Sequence, residues 1–520
     1  MNEAKEQAEI VAFLARPEAH GAEGPVERID THISHVFLAG RRALKLKRAV
    51  KLPYLDYSTP EKRRAACEEE LDVNRRTAPE LYREVVPVVR RRDGALAVGA
   101  AGTPLDWLVA MRRFDQDFLF DRMAERGALG LEHVAAAVEA IARFHARAER
   151  VAGGAEMIGR IIEGNIASVG RAAVPRPLAP ARADALHVAC RARFAAAKLL
   201  LDRRGAEGRI RDGHGDLHLR NICLVEGKPL LFDAIEFDPG FRRIDVFYDF
   251  AFLLMDLVHR GLAAHAHLAL NGYVGATGDT GGVAALPLFL AVRAVIRGHI
   301  QATTASARGG AAQRSDPLWA ESAAYFDLAE AALAPPPPAL LAIGGLSGTG
   351  KSTLAKAVAP RLGAMPGALL LRSDVIRKRL AGVPPEQRLP ESHYTPEWTA
   401  RVYAEMLRVA AAALGGGHSV IADAVSGQAD QRAALEGAAR QAGARFLGVW
   451  LEAPLAVREA RIGARAADAS DADVSVARRQ HEPDSSALGW RRIDAGGELR
   501  LTQKRLEEAL GIAGAPLRAR

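Results

Sequence analysis

The segment GLSGTGKS, from Gly345 to Ser352, constrains the fold more tightly than any other stretch of the chain. It completes a GxxxxGK[ST] pattern, with the apolar run ALLAIGG before it and the helical TLAKAVAPRL after it. Strand, glycine turn and helix therefore follow one another in the order a phosphate-binding loop requires. The glycines let backbone N–H groups close around phosphate, Lys351 reaches the β/γ-phosphates, and Ser352 offers its hydroxyl to a divalent ion. The pattern marks Gly345, Ser347, Gly348, Thr349, Gly350, Lys351, Ser352 and Thr353 for nucleotide binding, with Ser352 also on the metal. It predicts an α/β domain with a parallel sheet.

Downstream, LLLRSDVIRKRL reads as a second strand ending at Ser373-Asp374, and SVIADAV as a third ending at Asp423. Parallel sheets gather ligand groups at the carboxyl ends of their strands. Asp374 is therefore the candidate to accept the proton of a substrate hydroxyl. Asp423 would hold magnesium through water or orient the acceptor. Arg458, Arg461 and Arg465 recur at helical spacing in VREARIGAR and either close over the transferring phosphate or form a solvated face. Over about residues 339–510 the chain resembles the P-loop small-molecule kinases related to gluconate kinase, zeta-type toxins and the kinase domain of polynucleotide kinase. The likeness lies in the phosphate loop, in Ser373, Asp374 and Arg377, and in the VIADA strand; the second subdomain and sensor motifs of ring-forming ATPases are missing.

Four consecutive prolines, Pro335 to Pro338, interrupt a helical pattern just before this region. Such a run cannot continue a helix and acts as a stiff spacer. The sequence thus predicts one domain over 1–334, a linker at 335–338 and a P-loop kinase domain over 339–520. In the first domain, HISHVFLAGRRALKLKRAV reads as two strands joined at Ala39-Gly40, EKRRAACEEELDVNRR as a helix, and LVAMRRF as another strand. Helices dominate after Leu119. A small mixed lobe over about 30–115 and a larger helical lobe over about 116–334 give an α+β, protein-kinase-like order.

Within that domain, HGDLHLRNICLVEGKPLLFDAIEFD spans His214 to Asp238. Asp216 precedes Asn221 at the spacing of a protein-kinase catalytic loop, and Asp233 follows a strand-turn-strand pattern that turns at Glu226-Gly227-Lys228. The hairpin would bring Asn221 and Asp233 together as oxygen ligands for Mg2+, with Asp216 facing the acceptor hydroxyl. A kinase also needs a strand lysine on the α/β-phosphates and a helical glutamate to orient it. Lys45 and Lys47 alternate within ALKLK, and Glu68, Glu69 and Glu70 compete for the partner position; Lys45 with Glu70 is the preferred pair. The chain lacks a GxGxxG before the lysine and has only the lone Gly40.

On His214, Gly215, Asp216, His218, Asn221 and Asp233 the region 30–330 resembles the aminoglycoside phosphotransferase and choline kinase family. That resemblance implies Asp216 as catalytic base, Asn221 and Asp233 on magnesium, and His214 as support for the loop. Asp245 and Asp249 fall where the family carries a structural aspartate.

Hydrophobic content of 49% and charged content of 25% suit a folded soluble chain. Cys67, Cys190 and Cys223 form no CxxC pair, which argues against a disulfide framework or a cysteine zinc site. The N-terminal residues lack the apolar stretch of a signal peptide, and the run Phe247 to Val258 is broken by Asp249 and Asp256, so a cytoplasmic protein without a membrane span is expected. A net charge of +8 suits phosphate-bearing ligands, but no basic stripe with interleaved aromatics points to nucleic acid. The sequence thus describes an ATP- and Mg2+-dependent phosphotransferase acting on a hydroxyl of a small sugar- or aminocyclitol-like acceptor. A nucleic-acid 5′-hydroxyl kinase and a nucleotide-sensing regulator are the other readings it allows.

Overall fold

The computed structural model describes residues 2–52, 55–171, 178–309, 316–464, 469–482 and 489–511. The chain divides into two compact units, one of residues 1–157 with 202–256 and the other of 158–201 with 257–520. Arg465, one of the arginines expected near the phosphate, lies outside the described residues.

The first unit opens with helix α1 (Asn2–Leu14), strands β1 (Glu27–Asp30), β2 (Ser34–Ala39) and β3 (Arg42–Lys47), and the short pair β4 (Lys51–Leu52) and β5 (Leu55–Asp56). Helix α2 (Pro60–Arg75) follows, then β6 (Tyr82–Arg90), β7 (Leu96–Val98) and β8 (Thr103–Arg112). The sheet runs β1-β2-β3-β8-β6-β7 with antiparallel neighbours. Its alternation sorts residues by face. Leu44 and Leu46 join Phe37, Leu108 and Ala110 in a core capped by Ile10 and Leu14. Lys45, opposite Val109, belongs to the other face, where Val109 packs with Cys67 of α2 and Tyr82.

Helices α3 (Phe120–Glu125), α4 (Leu131–Arg147) and the start of α5 (Ala155–Arg171) continue the unit, and the chain returns through the end of α6 (Pro180–Ala206). Strand β9 (Ile210–Asp212) leads into the hairpin β10 (Ile222–Val225) and β11 (Lys228–Leu231), and β12 (Arg243–Asp245) pairs back onto β9 before α7 (Val246–His259). The hairpin turns where the sequence predicts, with Glu226 at φ 52° and Gly227 at φ 76°. Two consecutive left-handed residues are the geometry of the tight turn that matches strand twist.

The second unit adds α8 (Ala263–Thr277), α9 (Leu286–Gly309) and α10 (Pro317–Leu333) to a P-loop core. That core runs β13 (Ala339–Gly345), α11 (Lys351–Val358), β14 (Leu369–Arg372), α12 (Ser373–Leu380), α13 (Pro396–Gly415), β15 (Val420–Asp423), α14 (Ala429–Gln441) and β16 (Arg445–Glu452). It closes with α15 (Leu455–Gly463), α16 (Val474–Arg479), β17 (Arg491–Asp494) and α17 (Leu499–Leu510). The sheet order is β14-β15-β13-β16-β17, all parallel. Such a sheet is covered on both faces, which is why ALLAIGG and SVIAD read as continuous apolar runs. Leu341, Ile343, Leu354, Val358, Ile421, Val449 and Leu506 form its core.

Two details differ from the sequence reading. The strand expected to end at Ser373-Asp374 stops at Arg372, the last residue in register with β15, and Ser373 and Asp374 begin α12. Helices 263–333, expected in the helical lobe of the first domain, share a compact unit with the parallel sheet. Asn271 of α8 there accepts the Leu370 N–H on the edge strand β14 at 2.7 Å, which blunts an otherwise open edge. A longer apolar stretch, Gly281–Ser306, holds an 18-residue window long and apolar enough to cross a membrane, and 72% of that window is buried inside the protein, as in a core helix.

Candidate functional sites

In the first unit, helix α2 starts where Thr59 caps it and Pro60 supplies a pre-set φ. It buries Arg63, Cys67, Glu70, Val73 and Asn74 on one face. That periodicity selects Glu70 from the three consecutive glutamates: Glu68 pairs with Arg64 in solvent, and Glu69 reaches Arg242. Glu70 Oε1 lies 2.7 Å from Lys45 Nζ, and the same ammonium lies 2.6 Å from Asp233 Oδ1. Burial alone would lower the pKa of Lys45, but Asp233 and Glu70 hold it well above its usual range. Burial likewise would raise Glu70, yet Lys45 and Lys47 bring it down to about 2.

The loop after β9 is held by buried groups. Asp249 accepts the His214 N–H at 2.7 Å and the Gly215 N–H at 2.9 Å, with His145 Nε2 at 3.2 Å. Asp245 is paired with Arg204. Both aspartates therefore orient the scaffold behind the loop. His214 Nδ1 accepts the Asp216 N–H at 3.3 Å, so its Nε2 carries the proton directed at Phe232 O, 3.0 Å away. Burial keeps this imidazole below its ordinary pKa. Asn221 Nδ2 donates to Asp216 Oδ2 at 2.9 Å and to the Asp216 carbonyl at 2.8 Å. The Phe232 N–H donates to Asn221 O at 3.0 Å, so the hairpin sets Asp233 one residue from the position facing Asn221. Asp233 adopts φ 60°, a strained conformation for a non-glycine residue and one that clusters at functional sites. The sequence-derived residues Lys45, Glu70, Asp216, Asn221 and Asp233 thus stand in one unit.

The lone glycine before the lysine, Gly40, lies at the joint of the predicted hairpin. Gly40 occupies the β2–β3 turn, whereas the loop between β1 and β2 is the tight turn Thr31–Ser34, locked by Thr31 Oγ1 accepting the Ser34 N–H at 2.9 Å. Its His32 lies within electrostatic reach of Asp216.

In the second unit the phosphate loop wraps, with Gly345, Gly348 and Gly350 at φ 139°, 84° and 92°. A Cβ on Gly348 would come within 2.6 Å of the Arg458 carbonyl, so that position admits only glycine. Thr349 Oγ1 turns inward to Leu346 O at 2.9 Å, the Ser347 N–H reaches Gln480 Oε1 at 2.8 Å, and Thr353 is exposed on α11. Lys351 Nζ lies 3.0 Å from Leu346 O, folded back over the loop. Ser352 Oγ lies 2.5 Å from Asp423 Oδ2. Register places Ile343, Asp423 and Arg372 side by side at the carboxyl ends of β13, β15 and β14. Asp374 begins α12 beside them, its pKa raised by burial and then by Asp423. Arg458 Nη1 donates to Ser347 O at 3.5 Å, and Arg461 Nη1 to Thr349 O at 3.4 Å and Ala495 O at 2.8 Å. The two arginines grip the loop's carbonyls from behind. Gln480 escaped the sequence reading because a contact across 133 residues leaves no periodic trace.

The donor sets suit magnesium. Each site offers hard oxygens, a carboxylate with an amide in the first and a carboxylate with a hydroxyl in the second, as Mg2+ prefers when phosphates supply the remaining ligands. Among the described residues no cluster of three or more His, Cys, Asp or Glu side chains forms an all-protein metal cage.

Residues 340–483 match the model of a family described as an AAA domain. Over 477 residues the chain is 31% identical to the protein named Uncharacterized protein Rv2004c of Mycobacterium tuberculosis, covering 90% of this chain and 92% of that one. The chain belongs to that family. The same identity and coverage hold for the Mycobacterium bovis protein named Mb2027c. Among solved structures, a choline/ethanolamine kinase family protein from Mesorhizobium loti matches at TM-score 0.39 and 15% identity, over 63% of this chain and 95% of its own. The APS kinase of Mycobacterium tuberculosis in complex with AMPPNP and APS matches at TM-score 0.25 and 22% identity, over 34% of this chain and 99% of its own. A gluconokinase from Sinorhizobium meliloti matches at TM-score 0.24 and 19% identity, over 34% of this chain and 98% of its own. The chain joins a protein-kinase-like module to a P-loop kinase module. With a strand lysine paired to a helical glutamate in one and a complete phosphate loop in the other, it is built as an ATP-dependent kinase.

Proposed function

We propose that the protein uses Mg·ATP at two separate sites and transfers the γ-phosphate to a hydroxyl of a small, sugar- or aminocyclitol-like acceptor. The observation that carries this reading is Lys45 Nζ held between Glu70 and Asp233 at 2.7 and 2.6 Å, which joins a phosphate-holding lysine, its orienting glutamate and a metal-type carboxylate in one cluster. In the first site Lys45, oriented by Glu70, holds the α/β-phosphates, and Asn221 and Asp233 hold magnesium. Asp216 takes the proton of the acceptor hydroxyl as its oxygen bonds to the γ-phosphorus and the bond to the β-phosphate oxygen breaks, releasing ADP. The Asn221 amide at 2.9 Å fixes the Asp216 carboxylate for this task.

In the second site the N–H groups of Gly345 to Ser352 and the ammonium of Lys351 hold the phosphates. Ser352 and Asp423 hold the ion, and Asp374 is the base. Arg458 and Arg461 act by keeping the loop's carbonyls turned away from the phosphates. Magnesium, when bound, neutralises developing charge on the phosphate oxygens. The functional boundary falls at Pro335–Pro338. The three cysteines are free and buried, which supports placing the protein in a reducing, cytoplasmic setting.

ATP consumption against a panel of sugars, aminosugars and nucleosides tests the reading. Asp216→Asn is expected to abolish one activity and Lys351→Ala another, each by about 10³-fold. Full turnover in both variants would refute the assignments.

A further inference from the structure

β3 carries a second lysine on the face of Lys45, two residues on. Lys47 has no exposed side-chain surface; its Nζ lies 2.5 Å from Glu70 Oε2 and is ion-paired with Glu236 Oε1. Glu236 also accepts the Tyr57 hydroxyl at 2.9 Å, and the Lys47 ammonium sits 5.2 Å from the centre of the Tyr57 ring. Each oxygen of Glu70 therefore serves a different lysine. Glu236 stands three residues after Asp233, on the same stretch of chain, so Lys47 ties β3 and α2 to the segment that bears the metal-type carboxylate.

The two lysines differ in what they can do. Lys45 holds Asp233, whose side chain is 43% exposed, whereas Lys47 and both its carboxylates are sealed from solvent. When phosphate enters, Lys45 must exchange Asp233 for a phosphate oxygen, and Asp233 must turn to the ion. Without a second anchor, Glu70 would be free to follow either partner. Resting on the reading of the first module as a Mg·ATP site, we propose that Lys47 and Glu236 are a positioning pair, which keeps Glu70 and the Asp233 segment in place while Lys45 and Asp233 change partners. Neither touches the nucleotide.

A purely structural ion pair would also matter for folding, because deleting one member leaves a buried charge alone. The test therefore compares folding with ligand affinity. In a Lys351→Ala chain, so that only the first site reads, thermal unfolding and calorimetric binding of Mg·AMPPNP are measured for Lys47→Met, Glu236→Gln, the double variant and Lys47→Arg. The single variants are expected to unfold earlier. The double variant, which strands neither Lys47 nor Glu236, regains most of the melting temperature yet binds Mg·AMPPNP about tenfold more weakly than its parent, and Lys47→Arg retains most of the affinity. Parental affinity in the double variant, or in any folded Lys47→Met protein, overturns the proposal. Failure of the Lys351→Ala parent itself to bind Mg·AMPPNP removes the first-site reading and, with it, the role of the pair.

Discussion

At the scale of single residues, glycines, lysines and buried carboxylates shape both sites. The phosphate-loop glycines differ in what an added methyl would meet. At Gly348 it would meet the Arg458 carbonyl at 2.6 Å in addition to the cost of φ 84°, whereas at Gly350 its nearest contact is 3.8 Å away and only φ 92° opposes it. Gly348→Ala should weaken Mg·ATP binding at the second site by an order of magnitude or more, and Gly350→Ala by less, in titrations of a Lys45→Ala chain where the first site is silent. Equal losses would contradict this ranking. Lys45 and Glu70 were legible in the sequence because strand alternation and helix periodicity expose them within a few residues of local pattern. Glu236 was not, since its tie to Lys47 spans 189 residues and no local pattern announces a buried partner at that distance.

At the scale of elements, the hairpin β10–β11, helix α2 and the strand–loop–helix β13–α11 follow directly from turn residues, capping and apolar runs. The place of α8 does not, because nothing in its composition says which sheet it covers. Two buried histidines mark that packing. His267 of α8 donates to Ala368 O at 2.9 Å, and His418, just before β15, to Gly367 O at 2.9 Å. Burial lowers the pKa of each to about 4, and the backbone hydrogen bonds only partly oppose it. Each folded-state value lies below the unfolded one, so the unfolded chain takes up protons first. The stability of this unit is therefore full above about pH 6.5 and falls as pH drops towards 4, by roughly 3 kcal/mol for each histidine. Denaturant melts between pH 7 and 4 should show this loss, and His418→Asn should reduce its slope by about one proton. An unchanged slope would mean that His418 is already protonated in the folded chain.

At the scale of the whole molecule, the proline run Pro335–Pro338 announces a division of the chain. It does not mark the limit of compactness: helices 263–333 precede the prolines yet share a unit with the parallel sheet that follows them. A sequence break reports where the backbone cannot be helical, while a compact unit reports which apolar faces cover one another, and the two need not coincide. Every residue of the first site lies in one unit and every residue of the second in the other, so each should bind nucleotide without the other. Counting bound Mg·AMPPNP at equilibrium tests this most directly. Two should bind per chain, one in Lys45→Ala, one in Lys351→Ala and none when both are replaced. A single bound nucleotide in the unaltered chain, or a count that neither substitution lowers, would contradict it.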